Sequence, residues 1–294
     1  MIRQGLTNGW RTARLFWVMA VVLYLGNLVI TAGIAWVVAW LLDAASGASL
    51  ALDVLTEGYN YTVFTDLRQE GFDYGRTAMG AFLVAVPLSV LLNIFLSGGI
   101  IATVLRQASG PKLWTFVAAG VAYAGRFLRL LLLALLLLLA VAGGIALVLA
   151  VLVPAAGWEP VTEKGVVEIT AAGVLMVLLS GSVVWTALEY ARLWVVRGKI
   201  RSARRALWNG LRLVGTHPLA TMTIQLTGVA LVAGTVVIQV LLGAPLRMES
   251  IGGILAVAAL HQLAVLARSF VRLWLIASQS SLMNAVSPAP EEPG

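Results

Sequence analysis

The sequence predicts an all-α polytopic membrane protein, and three observations carry that prediction. First, 60% of the 294 residues are hydrophobic and only 11% are charged, with a mean hydropathy of +0.94. A soluble domain carries about 25% charged residues, so this chain has too little polar surface to face water all round. Second, six stretches exceed the roughly 20 apolar residues that cross a bilayer as a helix. Third, 16 of the 20 Lys and Arg fall on one side of those six stretches. Closed barrels alternate polar and apolar residues over short strands, which none of the six does.

The elements follow in order. Span one, Leu15–Leu42, comes after Arg3, Arg11 and Arg14. It is nearly twice the length of a signal-peptide core, about 7–15 residues, so it is expected to be a retained anchor. An outer loop, Asp43 to Arg76, leads to span two, Ala78–Leu105. Span three, Phe127–Val153, contains the run LLLLALLLLLA from Leu130 to Ala140 and is the most lipid-like. Span four is Ile169–Val196, span five Leu219–Leu242 and span six Ile251–Ser278. His217-Pro218 marks the start of span five, since proline suits the first turn of a helix. Several spans are longer than a bilayer needs, so tilt or extension beyond the lipid is expected. Residues 1–286 read as one six-helix domain and 287–294 as a disordered tail.

The basic residues orient the chain. Lys and Arg accumulate on the cytoplasmic side of membrane proteins, which places both termini in the cytoplasm and leaves Arg68, Arg76, Lys164 and Arg247 outside. Most acids sit in the opposite loops. Tryptophans flank both interfaces, with Trp10, Trp17, Trp114, Trp194, Trp208 and Trp274 inside and Trp36, Trp40 and Trp158 outside. Trp185, well within span four, is the exception.

The segments before spans one, three and five look alike, reading GLTNGWRTARLF, KLWTFVAAGVAYAGRFLRL and ARRALWNGLRLVGTHPL. Arginines mixed with large apolar residues at helical spacing describe a helix lying in the membrane interface. The closest pair is Leu6–Arg11 against Leu207–Arg212; the ends of spans four and six also match, Tyr190–Trp194 against Phe270–Trp274. The unit inferred is an interfacial helix, a span, an outer loop and a returning span, used three times in the same direction. Interfacial chemistry alone also generates basic amphipathic helices and such helix ends. The strings FLSGGIIATVLRQASG, FVAAGVAYAGRFLRL, LEYARLWVVRGKIRSARRALWNGLRLV and RLWLIASQSSL resemble uncharacterised bacterial six-span families. They are also similar to the membrane domain of some glycerophosphodiester phosphodiesterases. The resemblance implies a bacterial inner-membrane protein of this layout, covers most of the chain and rests on architectural motifs. With no catalytic domain expected after Ser278, it does not carry phosphodiesterase chemistry over.

Little in the sequence points to catalysis. With no cysteine and only His217 and His261, thiol chemistry is excluded and a metal cluster has little material. P-loop, dinucleotide-binding, serine-hydrolase and zinc-protease motifs are missing, and no cofactor is expected. Glu189 stands three residues before Arg192 and can pair with it along one helix face, while Arg268 and Arg272 can reach it from span six. That group reads either as a gated ion pair or anion site, or as arginines snorkelling to the interface around a packing glutamate. Mid-span His261, Gln262, Asn93, Gln225 and Gln239 fit interhelical hydrogen bonding. Arg197, Lys199, Arg201, Arg204 and Arg205 form the densest charge and read as an anionic-lipid patch, not as a nucleic-acid site. Tyr59, Tyr61 and Phe64, set among acids in the long outer loop, suit docking of a partner or capping of the bundle mouth. The expected function is a non-enzymatic partner-binding, scaffold or accessory subunit of a membrane complex, contacting anionic lipids and a membrane partner or a second copy. The alternative is a lipid or small-solute transporter using the Glu189 group.

Overall fold

The pattern of the sequence separates two kinds of helix. Where arginines interleave with apolar residues the helices are short and one-faced: α1 (Ile2–Leu15) and α6 (Ala203–Thr216). Where the chain is apolar all round they are long: α2 (Trp17–Ser46), α3 (Tyr74–Arg106), α4 (Leu113–Ala155), α5 (Glu163–Arg197), α7 (Pro218–Gly243) and α8 (Ile251–Val286). The computed structural model describes residues 2–46, 74–106, 113–155, 163–198, 200–246 and 250–287. All eight elements among them are helical, and six are long and apolar enough to cross a membrane. The described chain forms two compact units, residues 1–21 with 94–294, and residues 22–93. In the second unit Asn27 and Asn93 donate to the carbonyls of Leu23 and Ser89, one turn back in their own helices.

Helix boundaries follow local chemistry where a breaker exists. Proline lacks an N–H and disfavours the helical conformation in the residue before it. His217 accordingly leaves the helix at φ −131°, ψ 54°, and α7 starts with Pro218 at its first turn. Ser202 caps α6, its hydroxyl accepting from the Arg205 N–H, and Ser250 caps α8 by accepting from Gly253. Between α1 and α2 the helix is interrupted at Phe16; nothing in the local sequence explains that break.

The structure corrects one expectation. The segment before span three is not a separate interfacial helix: α4 runs unbroken from Leu113 through 43 residues, about 64 Å at 1.5 Å per residue. Gly120 and Gly125 do not break it, because a single glycine costs a helix only about 1 kcal/mol. Gly120 is instead a packing device, since a Cβ there would meet the Phe95 ring of α3 at 2.6 Å. The first two long helices also run past the expected span ends, α2 to Ser46 and α3 from Tyr74.

In the first unit the core gathers at one end of the long helices. Ile100 and Ile101 of α3, Phe116, Phe127 and Leu130 of α4, Leu188, Tyr190 and Leu193 of α5 and Leu273 and Met283 of α8 are almost wholly buried. The short helices seal this end through glycines. Gly9 lies so close to α8 that a Cβ would come within 2.8 Å of the Ser278 backbone, and one on Gly210 would collide with the Ala187 carbonyl of α5. Gly9 and Gly210 hold the same place in the matching strings Leu6–Arg11 and Leu207–Arg212. The Arg-Leu-Trp match does not share that register. Ala187 and Ser278 are 91 positions apart, while Arg192 and Arg272 are 80 apart. The 11-residue difference is about three helical turns. Trp10 meets Phe270 edge-on at 5.4 Å. Trp274 is buried and donates its indole N–H to the Leu6 carbonyl, so it locks α1 to α8 instead of marking an interface.

Candidate functional site

The buried charge group is built by three long helices of the first unit. On α5 the three-residue spacing puts Glu189 and Arg192 on one face, and Arg192 Nη1 donates to Glu189 Oε1 at 2.8 Å. Arg192 is only 5% exposed, which rules out snorkelling for this side chain. Its Cζ lies 5.9 Å from the centre of the Phe127 ring of α4, within cation–π range. Its Nε is buried without a hydrogen-bond partner among the described residues. From α8, Arg272 donates through Nη2 to the Ser97 hydroxyl of α3 at 2.7 Å. It also stands close enough to feel the charges of both Glu189 and Arg192.

Arg268 does not join them. It turns toward α7, donating through Nη2 to Gln239 Oε1 at 2.6 Å and through Nε to Thr235 Oγ1 at 3.4 Å. Gln239 Nε2 lies in turn 2.7 Å from His261 Nδ1, so four side chains tie α7 to α8. Thr235 and Gln239 are one turn apart on α7, and His261 and Arg268 two turns apart on α8; that spacing was a usable signal for their pairing. The interhelical role expected of the mid-span amides holds for Gln239, and for Gln225, which is buried and accepts from Gln279 at 3.1 Å. Among the described residues no group of three or more metal-ligating side chains comes together.

The basic cluster is divided by the fold. Arg201, Arg204 and Arg205 line a cavity of about 990 Å³ between α6 and α4, floored by Leu133, Leu137, Leu207 and Leu211. Arg197 points elsewhere, toward the Met283 carbonyl of α8 at 3.5 Å. Lys199 lies outside the described residues, as do Tyr59, Tyr61 and Phe64 of the outer loop. A second, polar cavity of about 540 Å³ separates α1 from the end of α8, lined by Gln4, Asn8, Arg11, Thr12, Ser280, Ser281 and Asn284. Sequence reasoning missed it, because its polar residues come from opposite ends of the chain.

No match was found among protein-family models, curated proteins or solved structures. The geometry of the molecule is therefore the ground for any functional reading.

Proposed function

We infer that this chain is a non-enzymatic membrane protein that binds a partner as the scaffold or accessory subunit of a membrane complex. One observation carries the reading. Several polar side chains of the long helices tie helix to helix: Arg192 lies over the Phe127 ring, Arg272 donates to Ser97, Gln239 joins Arg268 and His261, and Gln279 donates to Gln225. Polar groups spent in that way build a rigid frame and leave few for substrate chemistry. The outer loop with Tyr59, Tyr61 and Phe64 then supplies the partner surface, with aromatic rings suited to interface anchoring. The Lys and Arg asymmetry supports both termini being cytoplasmic, and the resemblance to bacterial six-span families supports an inner-membrane setting. The glycine-seated α1 and α6 support the internal repeat, and both fit helices lying at the cytoplasmic interface. With α6 at that level, α4 from Leu133 to Ala155 spans about 33 Å, close to one hydrocarbon thickness.

Native mass spectrometry on protein gently extracted from its own membrane tests this. The expected result is a stoichiometric second polypeptide that is lost when Tyr59, Tyr61 and Phe64 are all changed to Ser, with the melting temperature of the chain unchanged. A lone chain, or a partner indifferent to the triple change, overturns it. A second reading, transport of a small anion, is favoured by one feature: Arg272 lies within electrostatic range of the Glu189–Arg192 pair, and Arg192 Nε is buried without a partner among the described residues. It requires anion flux into liposomes containing the purified protein.

A further inference from the structure

We propose that the cavity between α6 and α4 is a binding site for one anionic glycerophospholipid. This goes beyond the partner-binding reading and stands or falls separately from it. Its walls have the two chemistries such a lipid presents. Arg201, Arg204 and Arg205 line it, within five residues of sequence, and no acidic side chain is among the described residues that line the cavity. Guanidinium forks match the oxygens of a phosphodiester and hold it through paired hydrogen bonds. The floor is apolar, and its spacing makes it a trench. Leu133 and Leu137 are one turn apart on α4, and Leu207 and Leu211 are one turn apart on α6. Leucine side chains from both helices offer an apolar surface for part of an acyl chain.

Charge complementarity and position together select a lipid over a soluble phosphate. Leu133 and Leu137 belong to the LLLLALLLLLA run, the most lipid-like stretch of the chain, so the trench opens beside bilayer hydrocarbon. The three arginines are exposed to solvent, while Ser202 beside them is already used to cap α6. Trp208, 66% exposed at the rim, is the side chain type that settles at headgroup level. The volume, about 990 Å³, exceeds what a bare phosphate needs and suits a headgroup with part of its chains.

The test uses the full chain, purified in a zwitterionic detergent and titrated with phosphatidylglycerol or phosphatidylcholine under native mass spectrometry. The expected result is one phosphatidylglycerol retained per chain under conditions that strip phosphatidylcholine. Each arginine near the interface contributes about fivefold to anionic-lipid binding. Changing Arg201, Arg204 and Arg205 together to Gln should therefore cut the preference by roughly a hundredfold at most. The same change at Arg3, Arg11 and Arg14 should leave it intact. Because the three positions are exposed, the melting temperature serves as a folding control. Equal retention of both lipids, or a triple variant that binds like the parent, overturns the proposal. Displacement of the lipid by an equal concentration of glycerol phosphate overturns the lipid in favour of a soluble phosphate compound.

Discussion

Within the first unit, the two ends of the same long helices behave as different materials. At the end sealed by α1 and α6, side chains of α3, α4, α5 and α8 interlock, with Ile100, Phe127, Leu130, Tyr190 and Leu273 at or near zero exposure. Toward the other end, Leu147 and Val151 of α4, Leu175 and Leu178 of α5, Val237 and Leu241 of α7 and Ile254 and Leu255 of α8 are all more than half exposed. Composition does not explain the contrast, since both ends are apolar. The solvent does. In water, burying apolar area is worth about 25 cal/mol per Å², so apolar helix ends that project from the bilayer must interlock. In hydrocarbon a leucine gains little by leaving lipid for protein, so the same helices need only touch. Helices of 33 to 43 residues are longer than a bilayer needs, and their tightly packed section is the one closed by α1 and α6.

The sharpest way to break that contrast is at the glycines. Changing Gly210 to Leu forces a side chain into the Ala187 carbonyl, and changing Gly9 to Leu forces one into the Ser278 backbone. Backbone cannot swing aside as a side chain can, so each variant should lose at least about 3 kcal/mol and yield little folded protein on size exclusion. Gly144 and Gly234, in the lipid-facing sections, have open space where a Cβ would stand, with no neighbouring atom within 4 Å. Changing either to Ala should leave stability unchanged or raise it by up to about 1 kcal/mol, the helix-propensity difference. Equal damage at both ends would remove the distinction.

Next in size is the charge group. Glu189→Gln removes the carboxylate that pairs with Arg192 and leaves two arginines in electrostatic range of each other. Removing one partner of a buried pair costs about 3–5 kcal/mol; with the Glu189 side chain 15% exposed, about 2–3 kcal/mol is expected. Thermal unfolding followed by tryptophan fluorescence measures it. Adding Arg192→Gln in the same chain should restore part of the loss, and a strictly additive double variant would show that the two do not interact. The Gln225–Gln279 pair comes after it. Gln279→Leu should cost about 1 kcal/mol, in the range of interhelical hydrogen bonds between membrane helices.

How much of this was legible in the sequence depends on the range of the interaction. The six spans were, because hydrophobicity is a local sum. So was Glu189–Arg192, because three residues along a helix fix the geometry, and so was the α6–α7 boundary, because Pro218 acts on its own neighbour. The unbroken α4 was not: its arginines and glycines resemble those of α1 and α6, and what distinguishes it is Phe95 of another helix packed on Gly120. Arg268 was assigned to the wrong neighbour for the same reason. Four residues before Arg272, it shares that residue's face of α8, and only the placement of α7 diverts it to Gln239. The matching Arg-Leu-Trp strings and the matching glycine strings differ in register by 11 residues, which only the packing of α1 on α8 and α6 on α5 reveals.

The smallest predicted effect is also the most diagnostic of what covers each section. Val237 of α7 is 55% exposed and Ile224, earlier on the same helix, is fully buried. Shortening Ile224 to Ala deletes packed atoms and leaves a cavity, a loss of about 2–5 kcal/mol. Shortening Val237 to Ala deletes atoms that lipid replaces, so the change in unfolding temperature should be within error. The pair compares a packed and an exposed position within one span, on one helix of common composition. Were Val237→Ala to destabilise as Ile224→Ala does, Val237 would have to be covered by protein in the membrane. That outcome would place a contact surface, a second copy or a partner, on the outer section of α7.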